Sequence, residues 1–338
     1  MQEMIQHNKP TLGKEEREAA NRVISSGWVA QGKEVESFEN ELCDYLGLPE
    51  GHAVMVSSGT AALYLAVLQT YKESFAYPVY ACSSIRNAIA MAGRECIELD
   101  VSRNSPNVDI SDIRQKDYDV AIIPHIFGIP ADVHKAQVIF IEDAAQALGA
   151  KINNQPVGTF GRYGVFSFSA TKLITSGGQG GAVVSSDPYL IDEIRNFREF
   201  DMRRDYRRRF NFQMTDIQAA IGRVQLKKLD SFIERREEIF QKYLQAGFKL
   251  IQSKGKIKKD VRYRAVIETG NPDYLINGLA EYGIKAIVPI EEFEILGGQK
   301  FFPNALKLTH NTVSLPIYPS LTDQEVDLII LTVQRCLE

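Results

Sequence analysis

The chain has 338 residues, 44% of them apolar and 24% charged, with a formal net charge of −4 and a pI near 5.9. A chain of this length and composition buries a large core and divides into a major and a minor domain, which excludes disorder as its main state. The slightly negative balance supplies no basic field for nucleic acid, so an anionic ligand such as phosphate needs a specific pocket.

At the start, MQEMIQHNKP lacks the apolar core of a signal peptide, and no later apolar run approaches the roughly 18 residues of a membrane span. A soluble, cytoplasmic protein is expected. KEEREAANRVISS and VESFENELCDYLG carry apolar residues at helical spacing, and the second ends in a glycine suited to a C-cap. AVMVSS reads as a short buried strand running into the helix AALYLAVLQTY. Short apolar runs follow in ECIELDV, DVAIIPHIFG, QVIFIEDAA, GVFSFS and GGAVVSS, several separated by helix-compatible stretches. Such runs suit strands covered on both faces, hence a mostly parallel α/β sheet. A long helix is predicted from TDIQAAIG onward, opened by the T-x-x-Q capping box of Thr215 and Gln218 and linking two domains. Beyond it RYRAVIET, PDYLINGLAEYG, IKAIVPI and TDQEVDLIILTVQRCL predict a small α+β domain, residues 241–338, after a large domain of residues 1–240. Cys43, Cys82, Cys96 and Cys336 lack CxxC spacing and the five histidines form no HExxH. Reduced thiols are therefore expected, with no disulfide framework and no metal site.

In such sheets ligands collect beyond the carboxyl ends of the strands. In VSSGTAAL a strand ends, Gly59 lets the backbone turn, and Thr60 and Ala61 open a helix whose free N–H groups favour an anion. An ordinary αβ junction reads the same way. VIFIEDAAQALGA ends an apolar strand with Glu142 and Asp143, and a buried carboxylate there wants a cationic partner, as a salt bridge or toward a ligand. Gln146 can lie on the same side. In FSFSATKLITSGGQGGAVVS, Lys172 precedes its glycines and GxxxxGK[ST] is absent, so a P-loop fails; GTFGRYG is not GxGxxG either. What remains is an amine nucleophile able to form a Schiff base, with Ser167 offering a hydroxyl to a phosphate. An amine for an aldehyde, a carboxylate for a pyridinium nitrogen and a helix N-terminus for a phosphate are the parts that pyridoxal phosphate (PLP) requires.

These stretches, with SGWVAQGKEVESFENEL before them and RRRFNFQMTDIQAAIGRVQLKKLD after them, resemble the sugar aminotransferases of the DegT/DnrJ/EryC1/StrS family over nearly the whole chain. The resemblance implies a fold type I PLP-dependent transferase, aspartate aminotransferase-like, acting as a homodimer with shared sites. Its substrates would be an amino acid donor, glutamate, and a keto-sugar, nucleotide-linked. By the same resemblance Lys172 anchors PLP, Asp143 pairs with the pyridinium nitrogen, and Gln146 lies near the ring's 3-oxygen. Ser58, Gly59, Thr60 and Ala61 form the phosphate turn, joined by Ser167 and by Asn211 of the neighbouring subunit. Trp28 and Val29 approach the substrate.

The chain also departs from the family pattern. Cys82 stands where many relatives place an aromatic that stacks on the PLP ring, so Tyr80 or the thiol packs there instead. SGGQGG puts Gln179 in place of an acid, and Ser169 stands where others carry histidine. Related sugar dehydratases have histidine at the lysine position, so Lys172 points to amino transfer. A dehydratase, a cyclitol-ketone transaminase and a non-catalytic PLP-binding regulator remain as alternatives. Arg203, Arg204, Arg207, Arg208 and Arg209 either hold a nucleotide diphosphate or form a solvated loop balanced by Asp201 and Asp205. His125, also at a strand end, is expected to be a satisfied core histidine.

Overall fold

The computed structural model describes residues 4–114, 117–297 and 302–337. After helices α1 (Lys14–Ser26) and α2 (Lys33–Leu46), the chain enters the main sheet at β1 (Ala53–Val56). As expected, α2 ends at Gly47 in the left-handed conformation, φ 69°. The remaining strands are β2 (Ser74–Pro78), β3 (Glu95–Leu99), β4 (Val120–Pro124), β5 (Ile139–Asp143), β6 (Tyr163–Ser167) and β7 (Gly181–Val184).

Across the sheet the order is β1-β7-β6-β5-β4-β2-β3. Neighbours are parallel except at β7, which runs antiparallel to both β1 and β6. Both faces are covered, which is why the strands read as continuous apolar runs: Ala53 and Met55 of β1 enter one core cluster, Val54 and Val56 the other. The exception is the edge strand β3, where Glu95 and Cys96 are exposed.

Helix α3 (Gly59–Gln69) follows β1 directly and is buried along most of its length. Helices α4 (Ser84–Met91) and α5 (Pro188–Arg198) come next. The long α6 (Asp216–Gln245) is opened by the expected capping box: Thr215 Oγ1 accepts from Gln218 N at 3.3 Å and Gln218 Oε1 accepts from Thr215 N at 3.1 Å. It carries Leu226, Leu229, Phe232 and Ile233 into one cluster of the main body. Further along the same helix Ile239, Phe240 and Tyr243 enter a separate C-terminal core.

That second core packs β8 (Ala265–Glu268), α7 (Pro272–Glu281), β9 (Thr312–Leu315) and α8 (Asp323–Leu337). IKAIVPI, expected among its elements, forms no strand of its own. Its backbone divides between two partners, bridging Ile5 at Ile284 and Ser314 at Ile287. Ile5 thereby joins the C-terminal core although it lies at the other end of the sequence.

Candidate active site

The carboxyl ends of β1, β5 and β6 open on one cleft of about 170 Å³. At its head Ser58 caps α3, its Oγ accepting from Ala61 N at 3.1 Å and its carbonyl from Ala62 N at 3.0 Å. The cap uses the Ser58 oxygen and the Ala61 amide internally. As the first two residues of the helix, Gly59 and Thr60 have amides with no intrahelical acceptor, and both line the cleft at the positive end of the helix. Gly59 sits hard against β6: a Cβ there would come within 2.8 Å of Ser167 Cβ and 3.0 Å of its Oγ. Helix start and strand end thus form a cradle closed to any larger residue.

Opposite, Asp143 ends β5, only 7% exposed, with Oδ1 accepting from Ala145 N at 3.0 Å. Burial raises its pKa, against the opposing pull of that amide, of Lys172 and of His125. Glu142 is fully buried and belongs to a different structure. Its Oε1 meets His125 Nε2 at 2.8 Å, and its Oε2 accepts from the amides of Phe160 and Gly161 at 2.9 and 3.3 Å. Ala131 N donates to His125 Nδ1 at 2.9 Å, which assigns the ring proton to Nε2 and makes His125 the donor to Glu142. The expectation of a satisfied core histidine holds.

Gln146 accepts at Oε1 from Phe127 N, 2.8 Å, where Phe127 is held in the left-handed region at φ 63°. That bond turns the amide's NH₂ end toward other acceptors, and Gln146 lines the cleft. Lys172 follows β6 in a turn closed by its own amide on Ser169 O at 3.0 Å. Its Nζ lies 5.2 Å from the centre of the Tyr263 ring. Gln179 lines the cleft too, its carbonyl accepting from Gln218 Nε2 at 2.9 Å, which ties the glycine loop to the start of α6.

Of the two stacking candidates only Cys82 reaches the cleft. Tyr80 is fully buried and meets Phe127 edge-on, ring centres 6.1 Å apart, and burial pushes its phenol's pKa up. Ala61 is buried behind the cradle. Trp28, Val29, Arg203 and Asn211 are exposed and lie away from this wall. Trp28 Nε1 donates to Gln31 O at 3.1 Å, and Asn211 Oδ1 accepts from Gln213 N at 3.0 Å. Beside Asn211, Phe212 O accepts from Ser57 N at 2.8 Å, so this segment runs along the phosphate turn of its own chain. Within the arginine loop Arg203 pairs with Glu199, Arg207 with Glu193 at 3.5 Å, and Arg209 with Asp205 at 2.7 Å. Sequence reasoning missed Tyr263, which arrives from beyond α6, and Ser84, whose one signal was its place two residues after Cys82.

These residues fit PLP. The two open amides and Ser167 suit its phosphate, and a buried carboxylate with a raised pKa suits a protonated ring nitrogen. Comparisons agree with this chemistry. A model of the DegT/DnrJ/EryC1/StrS aminotransferase family matches residues 10–334. The chain is 31% identical to a GDP-perosamine synthase of Escherichia coli O157:H7 over 348 residues, covering 94% of each. It is 28% identical to a dTDP-4-dehydro-2,3,6-trideoxy-D-glucose 4-aminotransferase of Saccharopolyspora spinosa over 375 residues, covering 99% of this chain and 97% of the other. Among solved structures it superposes on the aminotransferase TlmJ of Streptoalloteichus hindustanus with a TM-score of 0.91, 26% identity and 99% coverage of each chain.

Proposed function

Because the chain belongs to the DegT/DnrJ/EryC1/StrS aminotransferase family, we propose that it moves an amino group from glutamate to a keto-sugar carried on a nucleotide, in the making of an amino sugar for a surface polysaccharide or a natural product. Its cofactor, pyridoxal 5′-phosphate, supplies when bound an aldehyde for the amine and a ring that accepts electrons. Lys172 Nζ anchors it, then takes the proton from the donor's α-carbon and later delivers one to the sugar carbon. The Asp143 carboxylate holds the ring-nitrogen proton; its burial is costly alone and is offset by that positive partner. Gly59, Thr60 and Ser167 grip the phosphate, and Gln146 donates its NH₂ to the ring's oxygen. Cys82, which lines the cleft, would stand in the place of the aromatic that many relatives stack on the ring.

The observation that carries this reading is the meeting, in one cleft, of Lys172, the buried Asp143 and the open start of α3. The nucleotide finds support in the GDP- and dTDP-sugar names of the relatives. We place the protein in the cytoplasm as a homodimer, with Asn211, Trp28, Val29 and Arg203 completing the neighbouring subunit's site. Exposed Phe200, Met202, Tyr206 and Phe210 around Asn211 support a covered surface there. Among the described residues no helix is long and apolar enough to cross a membrane. Residues 1–240 and 241–338 would form the large and small domains, joined within α6.

The test supplies PLP, ¹⁵N-glutamate and keto-sugars linked to dTDP, UDP, GDP or CMP, and follows ¹⁵N into the sugar together with 2-oxoglutarate. Transfer to one of them is expected. Loss of water from the sugar without gain of nitrogen would make the protein a dehydratase, and transfer only to a free cyclitol ketone would remove the nucleotide.

A further inference from the structure

Lys172 would leave the cofactor in the first half of the proposed reaction and rejoin it only at the end of the second, so its freed amine needs a defined resting place. That need rests on Lys172 being the cofactor's anchor. Lys172 lines two spaces, the cleft and a smaller cavity that is also lined by Thr11 and Arg236. Among the described residues it is the Tyr263 ring, and no carboxylate, that Nζ rests against, at 5.2 Å from the ring centre. That is within the roughly 6 Å over which a cation is attracted to a ring face, an attraction that grows when the pair is desolvated.

The ring is well fixed. Tyr263 is only 6% exposed, and its carbonyl accepts from Nη1 of the buried Arg236 at 3.3 Å, while the same Nη1 donates to Ile317 O at 2.7 Å. Arg264 lies 5.7 Å from the same ring centre. Burial alone would push the Tyr263 phenol's pKa up, but Lys172, Arg264, Arg236 and a hydrogen bond with Thr171 outweigh it and lower it, a measure of how positive the surroundings are.

We propose that the Tyr263 ring is the seat of the freed Lys172 ammonium, whose extra proton comes from the donor's own ammonium group as the C=N bond passes from lysine to donor, and that by holding it the ring eases displacement of Lys172; Lys172 gives that proton up to solvent before it takes the one on the α-carbon. Tyr263 is then a positioning residue reaching the active site from the segment before β8. Its hydroxyl is dispensable to this role, and its ring electron density is essential.

The experiment compares wild type, Tyr263→Phe and a series replacing Tyr263 by increasingly fluorinated phenylalanines, which keep the shape and drain the ring face of electrons. Each holoenzyme is titrated with 2-methyl-L-glutamate, which lacks the α-hydrogen, so it displaces Lys172 and goes no further; the cofactor's visible absorption reads the displacement constant. Tyr263→Phe should lie within about twofold of wild type, and full fluorination should weaken displacement about tenfold in a graded way. A constant that stays flat across the series, or a loss already complete in Tyr263→Phe, overturns the seat. In the cofactor-free chain, brief acetic anhydride labelling relative to the surface lysines gives a second reading that needs no donor. Lys172 should acetylate faster as the ring is fluorinated, and an unchanged rate counts against the proposal in the same way. If instead borohydride reduction of the wild-type holoenzyme fixes the cofactor to another lysine, the anchor assignment falls, which is a separate failure.

Discussion

Replacing Gly59 by alanine tests the cradle, because the new Cβ would stand 2.8 Å from Ser167 Cβ where ordinary contact begins at 3.4 Å. The missing 0.6 Å or so has to come from one side. Ser167 is held in register with Gly181 on β7, and Gly181 has no slack either, since a Cβ there would meet Ser58 O at 2.4 Å. The first turn of α3 therefore moves, carrying the Gly59 and Thr60 amides off the phosphate position. Overpacking of this kind costs about 1–3 kcal/mol, and a charged hydrogen bond is worth about 1.5–3 kcal/mol. We expect a loss of about 2–3 kcal/mol in cofactor affinity, a PLP Kd raised some 30- to 150-fold. Stability should barely follow, because alanine favours the helix over glycine by roughly 0.5–1 kcal/mol and offsets part of the strain. For a chain of this size the cofactor-free melting temperature should drop by no more than about 3 °C. The assay titrates cofactor-free protein with PLP and runs calorimetry on the same samples. Ser167→Gly removes the clashing atoms together with the hydroxyl offered to the phosphate, so it weakens PLP binding by itself, but Gly59→Ala made in that background should cost much less affinity than it does in the parent. A Gly59→Ala Kd within threefold of wild type would refute the cradle.

Four further outcomes are expected. Lys172→Ala should keep PLP through its phosphate yet lose transamination by several orders of magnitude, and peptide mapping after borohydride should mark Lys172 in the parent alone. For Asp143, burial raises the carboxyl's pKa, so in the cofactor-free protein the ionised form costs stability above that pKa and the cost vanishes as the group protonates in acid. Asp143→Asn should therefore melt higher than the parent near neutral pH, with the gap closing toward acid, while the half-reactions slow by about a hundredfold or more; a variant that melts lower at every pH contradicts the sign. His7 is pushed down from 6.5 to about 3 by burial and by Arg264, Lys285 and Arg236, so the unfolded chain binds its proton first and stability is lost as pH falls from 6.5 toward 3. His7→Gln should flatten that fall in urea titrations at successive pH values. Mixing Lys172→Ala with Asn211→Ala protomers should restore about a quarter of the sites if Asn211 serves the partner, and activity no higher than the average of the two parents refutes sharing.

Much of the sheet was legible because strands covered on both faces need apolar residues at nearly every position, and β1 and β4 have them throughout, while β5 has them up to Glu142 and Asp143 at its end. The antiparallel course of β7 was not, since direction leaves no mark on so short a run. The choice between Tyr80 and Cys82 was hidden for a related reason. Alternation along a strand would place both on one side, but β2 ends at Pro78, and past it Val79, Tyr80 and Ala81 all turn into the core while Cys82 alone reaches the cleft. The pairing of His125 with Glu142 was equally invisible, because it depends on β4 and β5 lying side by side with Pro124 opposite Asp143.

The lysine itself was the plainest signal, and the reason it stood out also explains what the sequence could not supply. Glycines and small hydroxyl residues around Lys172 leave the amine room, but a loop built of them has little side-chain bulk with which to hold its own shape. It is held from outside. Asn8 Nδ2 donates to Thr171 O at 2.8 Å, Gln225 Oε1 accepts from Thr175 N at 3.4 Å, and the Tyr263 ring lies against the amine. These three residues come from the N-terminal segment, the middle of α6 and the segment before β8, and none belongs to a motif around the lysine. Gln225 is in turn fixed by Glu16 Oε1 and Thr11 O, at 2.8 and 2.9 Å, which returns the support to the N-terminal segment. That segment also bridges the C-terminal core through Ile5 and His7, the latter 2.8 Å from Ser314 Oγ. A displacement of the C-terminal body would therefore be felt at Lys172 along two routes, the ring and the N-terminal segment, although the fingerprint that marks the lysine lies wholly within the main sheet.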